Sequence, residues 1–497
     1  MITSQHLKYP STKRITLISL VALVLGHLML NTIIPNEGLN FVGLLMTSYL
    51  IFHSTLRKND LFSFLMIIYF CSHFPYLGAK GGGFNMVCFL CVGLYLIITK
   101  TLPTEKRNYD SSFKVFVALL VVSSVFGWIY NYTGNSDEFL YSFISFFSII
   151  LLLILSSSLV ITTERIKVFL QVNFILIIYS TLASLNKYVD FISFQTPMLP
   201  IWGLNIGYKL EGGGIIGSSS LYGEHSMILV TLFTVFFLLG SAKYVSNRIL
   251  LTGVILSFLN VFMSTSRSAF LLSFLGMILI FVLQFRLNAI KISKQIGQLI
   301  LIASIGLGIF WTVKNTGLDN VLLRIDEINK KNKIEGGISL NRILDGSAFN
   351  RKDSFNEGYK RYKSKDNWLI GYGWGTWENN RDAFYVDSSI RQGSAHSQLF
   401  AVLFLFGWLG FIAYFGLIVK AIIKSYKTTR NSEIANDNKI LAFFFMIALS
   451  LFFLNEIKVD CISTPTYFAV TIIWMGFAYS ATNQSNALYE PNYDYAG

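Results

Sequence analysis

Gly393-Ser-Ala-His-Ser-Gln-Leu-Phe-Ala-Val-Leu-Phe-Leu-Phe-Gly-Trp-Leu-Gly410 joins a long polar stretch to an apolar run of helical length. His396 puts a titratable imidazole at the mouth of that run. Gly407 and Gly410, deeper along it, allow close packing against neighbouring helices. A polar loop that ends on an apolar helix belongs to a membrane protein with chemistry at one surface.

The rest of the chain agrees. Of 497 residues, 53% are hydrophobic and only 13% charged, about half the charge content of a soluble globular chain. About fourteen apolar stretches approach the roughly twenty residues that cross a bilayer. They begin near Ile15, Leu39, Leu61, Phe84, Phe113, Phe139, Ile166, Leu221, Asn247, Ser268, Ile296, Ser397, Lys439 and Ser463. The fold class expected is therefore all-α, a polytopic helical bundle. The first apolar stretch follows Lys8, Lys13 and Arg14 without a clear small-residue cleavage site, so it is expected to stay as a helix.

A net charge of +13 invites a nucleic-acid reading, but the basic residues are sorted by loop. Arg57, Lys58, Lys100, Lys106, Arg107, Lys114, Arg165, Lys167, Lys243, Arg248, Arg286, Lys291, Lys294, Lys420, Lys424, Lys427, Arg430 and Lys439 fall on one set of alternate turns. The other short turns hold few, and one carries only Asp137 and Glu138. By the positive-inside rule both termini are cytoplasmic, the loop of residues 314–395 faces outward, and nucleic acid is not a partner. Cys71, Cys88 and Cys91 lie in apolar spans and Cys461 at a helix end, a pattern of packing rather than of disulfides.

The chain divides into five parts. Residues 1–190 read as amino-terminal spans that form scaffold and lipid groove, and residues 191–222 as an outer glycine-rich loop. Residues 223–313 are central spans, 314–395 the large outer loop, and 396–497 the carboxy-terminal spans. The glycine-rich part, with Pro197, Pro200 and Gly212-Gly-Gly214, either folds back along the membrane or is a plain loop. The large loop, at roughly eighty residues, is of a size that is usually functional or disordered. Apolar residues at Leu318, Val321, Leu322, Ile325 and Ile328, and at Phe349, Phe355, Tyr359 and Tyr362, give two helical faces. Together with the glycine-aromatic turn Leu369-Ile-Gly-Tyr-Gly-Trp-Gly-Thr-Trp377, they predict a small amphipathic cap over the outer mouth.

Candidate functional residues gather at the outer ends. Arg267, in Met263-Ser-Thr-Ser-Arg-Ser-Ala-Phe270, stands between two spans so close together that its guanidinium sits at the surface or just below it. A charge there needs a partner or a wet cavity, and a diphosphate would satisfy both it and hydroxyls such as Ser266. The alternative is an arginine that snorkels to lipid phosphates. Arg351, with Arg342 and Lys352 nearby, offers a guanidinium fork suited to phosphate oxygens, or else an ordinary solvated helix face. His396 is a general base for a sugar hydroxyl, or else a helix-capping imidazole. Glu224 and His225, which open the span after the glycine-rich loop, and Tyr359 in the large loop are further substrate-binding candidates. Glu456, Lys458 and Asp460 crowd the last outer turn, where pairing with one another accounts for them. No Walker lysine or metalloprotease motif is present, and neither cofactor nor metal is expected.

Three stretches together resemble the O-antigen polymerase and O-antigen ligase superfamily. They are Ser264-Thr-Ser-Arg-Ser-Ala269, Gly346 to Arg351 followed by Leu369-Ile-Gly-Tyr-Gly-Trp-Gly375, and His396-Ser397 spaced to Gly407 and Gly410. The resemblance implies a GT-C-like glycosyltransferase of the bacterial inner membrane, metal-independent and inverting. Its implied donor and acceptor are oligosaccharides on undecaprenyl diphosphate at the periplasmic face. Membrane lipids and a chain-length regulator protein are the other implied partners. Arg267 and Arg351 would then hold the leaving diphosphate and His396 would activate the acceptor. Polymerase is the preferred activity. Transfer to the lipid A core by a ligase is the first alternative, and a lipid-linked oligosaccharide flippase or exporter is the alternative of another class. Many relatives carry Glu before the first glycine of the last motif, where this chain has Phe406, so Glu224 or Glu378 would have to supply any carboxylate.

Overall fold

The computed structural model describes residues 111–131, 136–159, 161–193, 219–240, 243–264, 266–286, 368–374, 398–432, 434–457 and 465–483, with a few isolated positions elsewhere. Among these, every regular element is helical. We number the helices α1 Ser111–Tyr130, α2 Ser136–Ser157, α3 Thr163–Ser193, α4 Ser219–Val235, α5 Asn247–Met263, α6 Arg267–Arg286, α7 Gln398–Arg430, α8 Asn436–Glu456 and α9 Pro465–Asn483, with a π turn at Phe236–Gly240 after α4. Four helical stretches, Ser111–Tyr130, Leu221–Leu239, Gln398–Arg430 and Asn436–Glu456, are long and apolar enough to cross a membrane, and four shorter apolar helices accompany them. The protein is embedded in a membrane. The remaining expected spans lie outside the described residues.

α4 and α8 form the centre. α4 packs on α3, α5, α6 and α8, while α8 packs on α4, α6, α7 and α9. The window Leu221–Leu239 is wholly buried, as befits a helix surrounded by others, and its Glu224 and His225 are buried with it. Small residues let the helices approach closely. A side chain on Gly253 would overlap the Phe233 ring at 2.7 Å, and one on Gly276 would meet Leu451 at 2.8 Å. The spans are also rich in hydroxyls, which return their proton to the preceding turn. Ser148, Ser156, Ser226, Ser257, Ser273 and Ser450 each donate to the carbonyl four residues back, which removes an otherwise costly polar group from an apolar interior.

The alternating helix directions give the bundle two ends. One holds the α2–α3, α4–α5 and α7–α8 turns, and there Asp437 accepts from Thr163 Oγ1 at 2.5 Å, Lys243 Nζ at 2.7 Å and the Tyr244 hydroxyl at 2.6 Å. Burial, followed by the adjacent Asp437 carboxylate, pushes the Tyr244 hydroxyl above its ordinary range. Arg165, Lys167, Arg248, Lys427 and Arg430 belong to the same end, which is the basic one. The opposite end gathers the starts of α4, α6, α7 and α9 and the ends of α5 and α8.

The amino-terminal part of α7 is not a straight continuation of the rest. Gly407 has φ 61 and ψ −169, a conformation essentially confined to glycine. In an unbroken helix the amides of Trp408 and Leu409 would donate to the carbonyls of Phe404 and Leu405. Here residues 368–374 enter the break and take up all four groups. Trp408 N donates to Trp368 O and Leu409 N to Leu369 O, each at 3.1 Å, while Tyr372 N donates to Phe404 O at 2.9 Å and Gly373 N to Leu405 O at 2.8 Å. Two lost helical bonds are thereby replaced by four, so irregular backbone is tolerated inside the bundle. The glycine-aromatic turn expected as part of a cap over the mouth is instead a strap set into the protein.

The strap is fixed to the end of α1 as well. Trp128 Nε1 donates to Trp374 O at 2.7 Å, and Trp374 Nε1 reaches Ser145 Oγ in α2 at 3.2 Å. The backbone of Gly373 leaves no room for a side chain on Gly127, and Trp128 leaves none for one on Gly373. Tyr372 stacks on Phe404 with 4.4 Å between ring centroids.

Candidate functional site

The break turns α7 into a hairpin. Residues sixteen apart in a straight helix lie about 24 Å from each other, yet Gln398 Nε2 donates to the Tyr414 hydroxyl at 3.3 Å. The first arm, residues 398–406, therefore doubles back beside the second. Tyr414 lies seven residues beyond the Gly407 apex, about 10 Å along the second arm, so α7 begins well inside its own apex. From the sequence, His396 was placed at the outer mouth of a straight helix. The helix start that follows it is recessed.

From Gln398 a line of buried polar groups crosses the bundle. The Tyr414 hydroxyl donates to Glu456 Oε1 at 2.9 Å. The next residue back in α8, Asn455, donates through Nδ2 to Glu224 Oε2 at 2.5 Å, and Glu224 Oε1 accepts from the Tyr467 hydroxyl at 3.1 Å. Gln398, Glu224, Glu456 and Asn455 are all buried. The line continues to the α5–α6 turn because residue 223 is glycine. A Cβ there would come within 2.6 Å of Ser266 Cβ and 2.7 Å of Ser264 Oγ.

That turn is itself well held. Ser264 Oγ donates to Val261 O at 2.6 Å and accepts from Ser266 N at 3.2 Å, while Ser266 O caps the first turn of α6 by accepting from Phe270 N at 3.1 Å. Arg267 is the first residue of α6, beside first-turn amides whose dipole favours an anion. Ser266 is half-buried, with its hydroxyl 3.4 Å from that of Ser268.

The predicted residues fare differently. Ser266 and the backbone of Arg267 share the polar end with Glu224 and His225. His396, Arg342, Arg351, Lys352, Tyr359 and Glu378 lie outside the described residues. Glu224 and His225 are fully buried, and His225 stacks on Trp474 with ring planes 2° apart and centroids 5.8 Å apart. Trp474 Nε1 in turn reaches the Tyr69 hydroxyl at 3.1 Å, which donates to Asn173 at 2.7 Å. Both residues thus join α4 to its neighbours. Tyr222 does the same toward α5 through Asn260, so the first turn of α4 is helix and helix contact where the sequence reading still had loop. Phe406 is buried between Trp374, at 6.0 Å, and Phe146, at 5.9 Å. Gln398, Tyr414, Asn455 and Tyr467 were not anticipated, and Glu456 was read only as pairing with its loop neighbours. A polar pair at the end of an apolar span, Asn455-Glu456, was the available signal.

Residues 252–415 match the family model described as O-antigen ligase. The match covers about a third of the chain and supports the O-antigen polymerase and ligase superfamily for that stretch. The superfamily segment covers most of α5, all of α6, the strap, the first arm of α7 and Tyr414. Glu224, Asn455, Glu456 and Tyr467 reach it from helices outside the match. No curated protein matches the chain. Members of that superfamily are glycosyltransferase-like enzymes.

Proposed function

We propose that the chain is a surface-polysaccharide polymerase. It transfers a growing glycan from undecaprenyl diphosphate onto a lipid-linked repeat unit at the periplasmic face of the bacterial inner membrane. The observation that carries the reading is the linkage, at one end of the bundle, of the Ser264–Arg267 turn to the start of α7 through Gly223 and Glu224 of α4 and Asn455 and Glu456 of α8, with both linked parts inside the superfamily segment. The concentration of Lys and Arg at the other end supports a periplasmic position for this one and cytoplasmic termini.

In this mechanism Arg267 and Arg351 hold the leaving diphosphate, and Ser266 and the first-turn amides of α6 add donors. Arg342, Lys352 and Tyr359 bind the substrates from the large loop. His396 takes the proton of the acceptor hydroxyl as that oxygen attacks the anomeric carbon opposite the diphosphate, and this inverts its configuration. No step requires a metal. A chain-length regulator protein is a proposed partner.

The test is reconstitution with a lipid diphosphate oligosaccharide, with and without chelator, alongside a gel of envelope glycolipids from a deletion strain. Polymerase activity predicts elongation in vitro, insensitive to chelator, and a strain that keeps a single repeat unit on its core. The description of the matched family favours ligase as the second reading. Ligase predicts loss of all attached units, with long chains left on the carrier.

A further inference from the structure

The hairpin of α7 is fastened at two places. At the apex the strap takes up the four backbone groups released at Gly407. At the open end, the fastening is the side-chain relay from Gln398 through Tyr414 to Glu456. The proton order in this relay is fixed by chemistry. A carboxylate only accepts, so the Tyr414 proton points to Glu456, and the tyrosine oxygen must then accept from Gln398. That order in turn sets the orientation of the Gln398 amide. The relay lies within a buried interior, where a hydrogen bond to a carboxylate is stronger and its loss more costly than at a surface. Two residues of chain reach at most about 7 Å, so fixing Gln398 restricts where His396 can be.

We propose that Tyr414 and Glu456 are positioning residues for the transfer, pinning the first arm of α7 and through it His396. This rests on the glycosyl-transfer reading above. Glu456 does not touch substrate in this scheme. It acts through Tyr414 and Gln398, and it is contributed by a helix outside the superfamily segment.

The experiment uses the full-length protein in proteoliposomes with a lipid diphosphate oligosaccharide, and compares Tyr414→Phe, Glu456→Ala, Glu456→Gln and the Tyr414→Phe/Glu456→Ala double variant. The expected result is a fall in kcat of at least tenfold for Tyr414→Phe and Glu456→Ala, with donor KM within twofold of wild type. Glu456→Gln keeps an acceptor oxygen and is expected to recover to within threefold of the wild-type rate. The double variant is expected to be no slower than the worse single one, because both break one relay. A proportional loss through KM, multiplicative effects in the double variant, or no recovery by glutamine would overturn the proposal.

Hydrogen exchange gives a readout that does not depend on turnover. Tyr414→Phe is expected to speed exchange of the bonded amides in residues 402–406 at least tenfold while residues 412–430 stay as in wild type. An unchanged first arm rejects the positioning role whatever the activity. A wild-type protein that leaves the lipid substrate intact rejects the glycosyl-transfer reading instead, and with it the catalytic part of this proposal.

Discussion

Gly407→Ala is the substitution that most directly tests the hairpin. An alanine at φ 61 and ψ −169 is held in a conformation that costs a side-chain-bearing residue about 1–3 kcal/mol. Its Cβ would also overlap the backbone of Leu369 and Ile370, and the strap cannot retreat without breaking its bonds to Trp408 and Leu409. The competing state is a straightened helix that regains two helical bonds and gives up the four to the strap. At roughly 1 kcal/mol for each bond lost on balance, straightening costs about 2 kcal/mol, which the strain and the backbone overlap together exceed, so Gly407→Ala is expected to straighten with a loss of about 2 kcal/mol. Hydrogen exchange distinguishes the two states. In the hairpin the amides of Tyr372, Gly373, Trp408 and Leu409 are all bonded, whereas in the straightened form Tyr372 and Gly373 lose protection and Trp408 and Leu409 keep it. Gly416→Ala is the control, since its Cβ would meet only the Phe116 ring, at 2.8 Å, and at a helical position. Wild-type protection at residues 372–373 and an unchanged unfolding midpoint in Gly407→Ala would refute the argument.

Five further substitutions have expected outcomes. Trp128→Phe removes the donor to Trp374 O, leaving a buried carbonyl short of its partner at a cost of about 1–3 kcal/mol, read as faster exchange across the strap. Asp437→Asn weakens an acceptor shared by Thr163, Lys243 and Tyr244 and should lower the unfolding midpoint by an amount equivalent to about 1–2 kcal/mol. Lys243→Met should cost less than about 1 kcal/mol, because that lysine is 54% exposed and such pairs are screened; a larger effect for Lys243→Met than for Asp437→Asn would contradict the ranking. Under the proposed mechanism, His396→Ala leaves a folded membrane protein that no longer extends glycan, and Arg267→Lys also fails because the guanidinium fork is lost. Wild-type turnover by purified His396→Ala would remove the base assignment.

Much of the bundle was legible because apolar runs long enough to span a bilayer have few other uses. The expected starts at Phe113, Ile166, Asn247, Ser268, Ser397, Lys439 and Ser463 fall within three residues of the observed α1, α3, α5, α6, α7, α8 and α9. The clustering of Arg267, Ser266 and the start of α7 at one end follows from the same alternation. The interior of α7 was not legible. Gln398 to Arg430 reads as one apolar helix, and Gly407 signals close packing just as well as it signals a break. Only a strap more than thirty residues away in sequence, with backbone groups free to substitute for helical ones, makes the break affordable. Nor does periodicity reveal a relay whose members, Gln398, Tyr414 and Glu456, belong to separate arms and helices.

The packing also bears on the departure at Phe406. A carboxylate at that position would face the Trp374 and Phe146 rings that now enclose Phe406, in surroundings that penalise an ion without a partner. Instead, carboxylates reach this end of the bundle from Glu224 and Glu456, each already bonded to hydroxyl or amide donors. Of the two, Glu456 is coupled through one tyrosine to the first residue of α7, whereas Glu224 ties α4 to α8 and α9. The substitution therefore separates two tasks within the motif. Position 406 packs the strap against the apex, and the acidic group that steadies the arm comes from α8. If Phe406→Glu restored a missing charge, it would raise turnover. The aromatic packing predicts the reverse, a loss of strap protection in hydrogen exchange together with a slower enzyme.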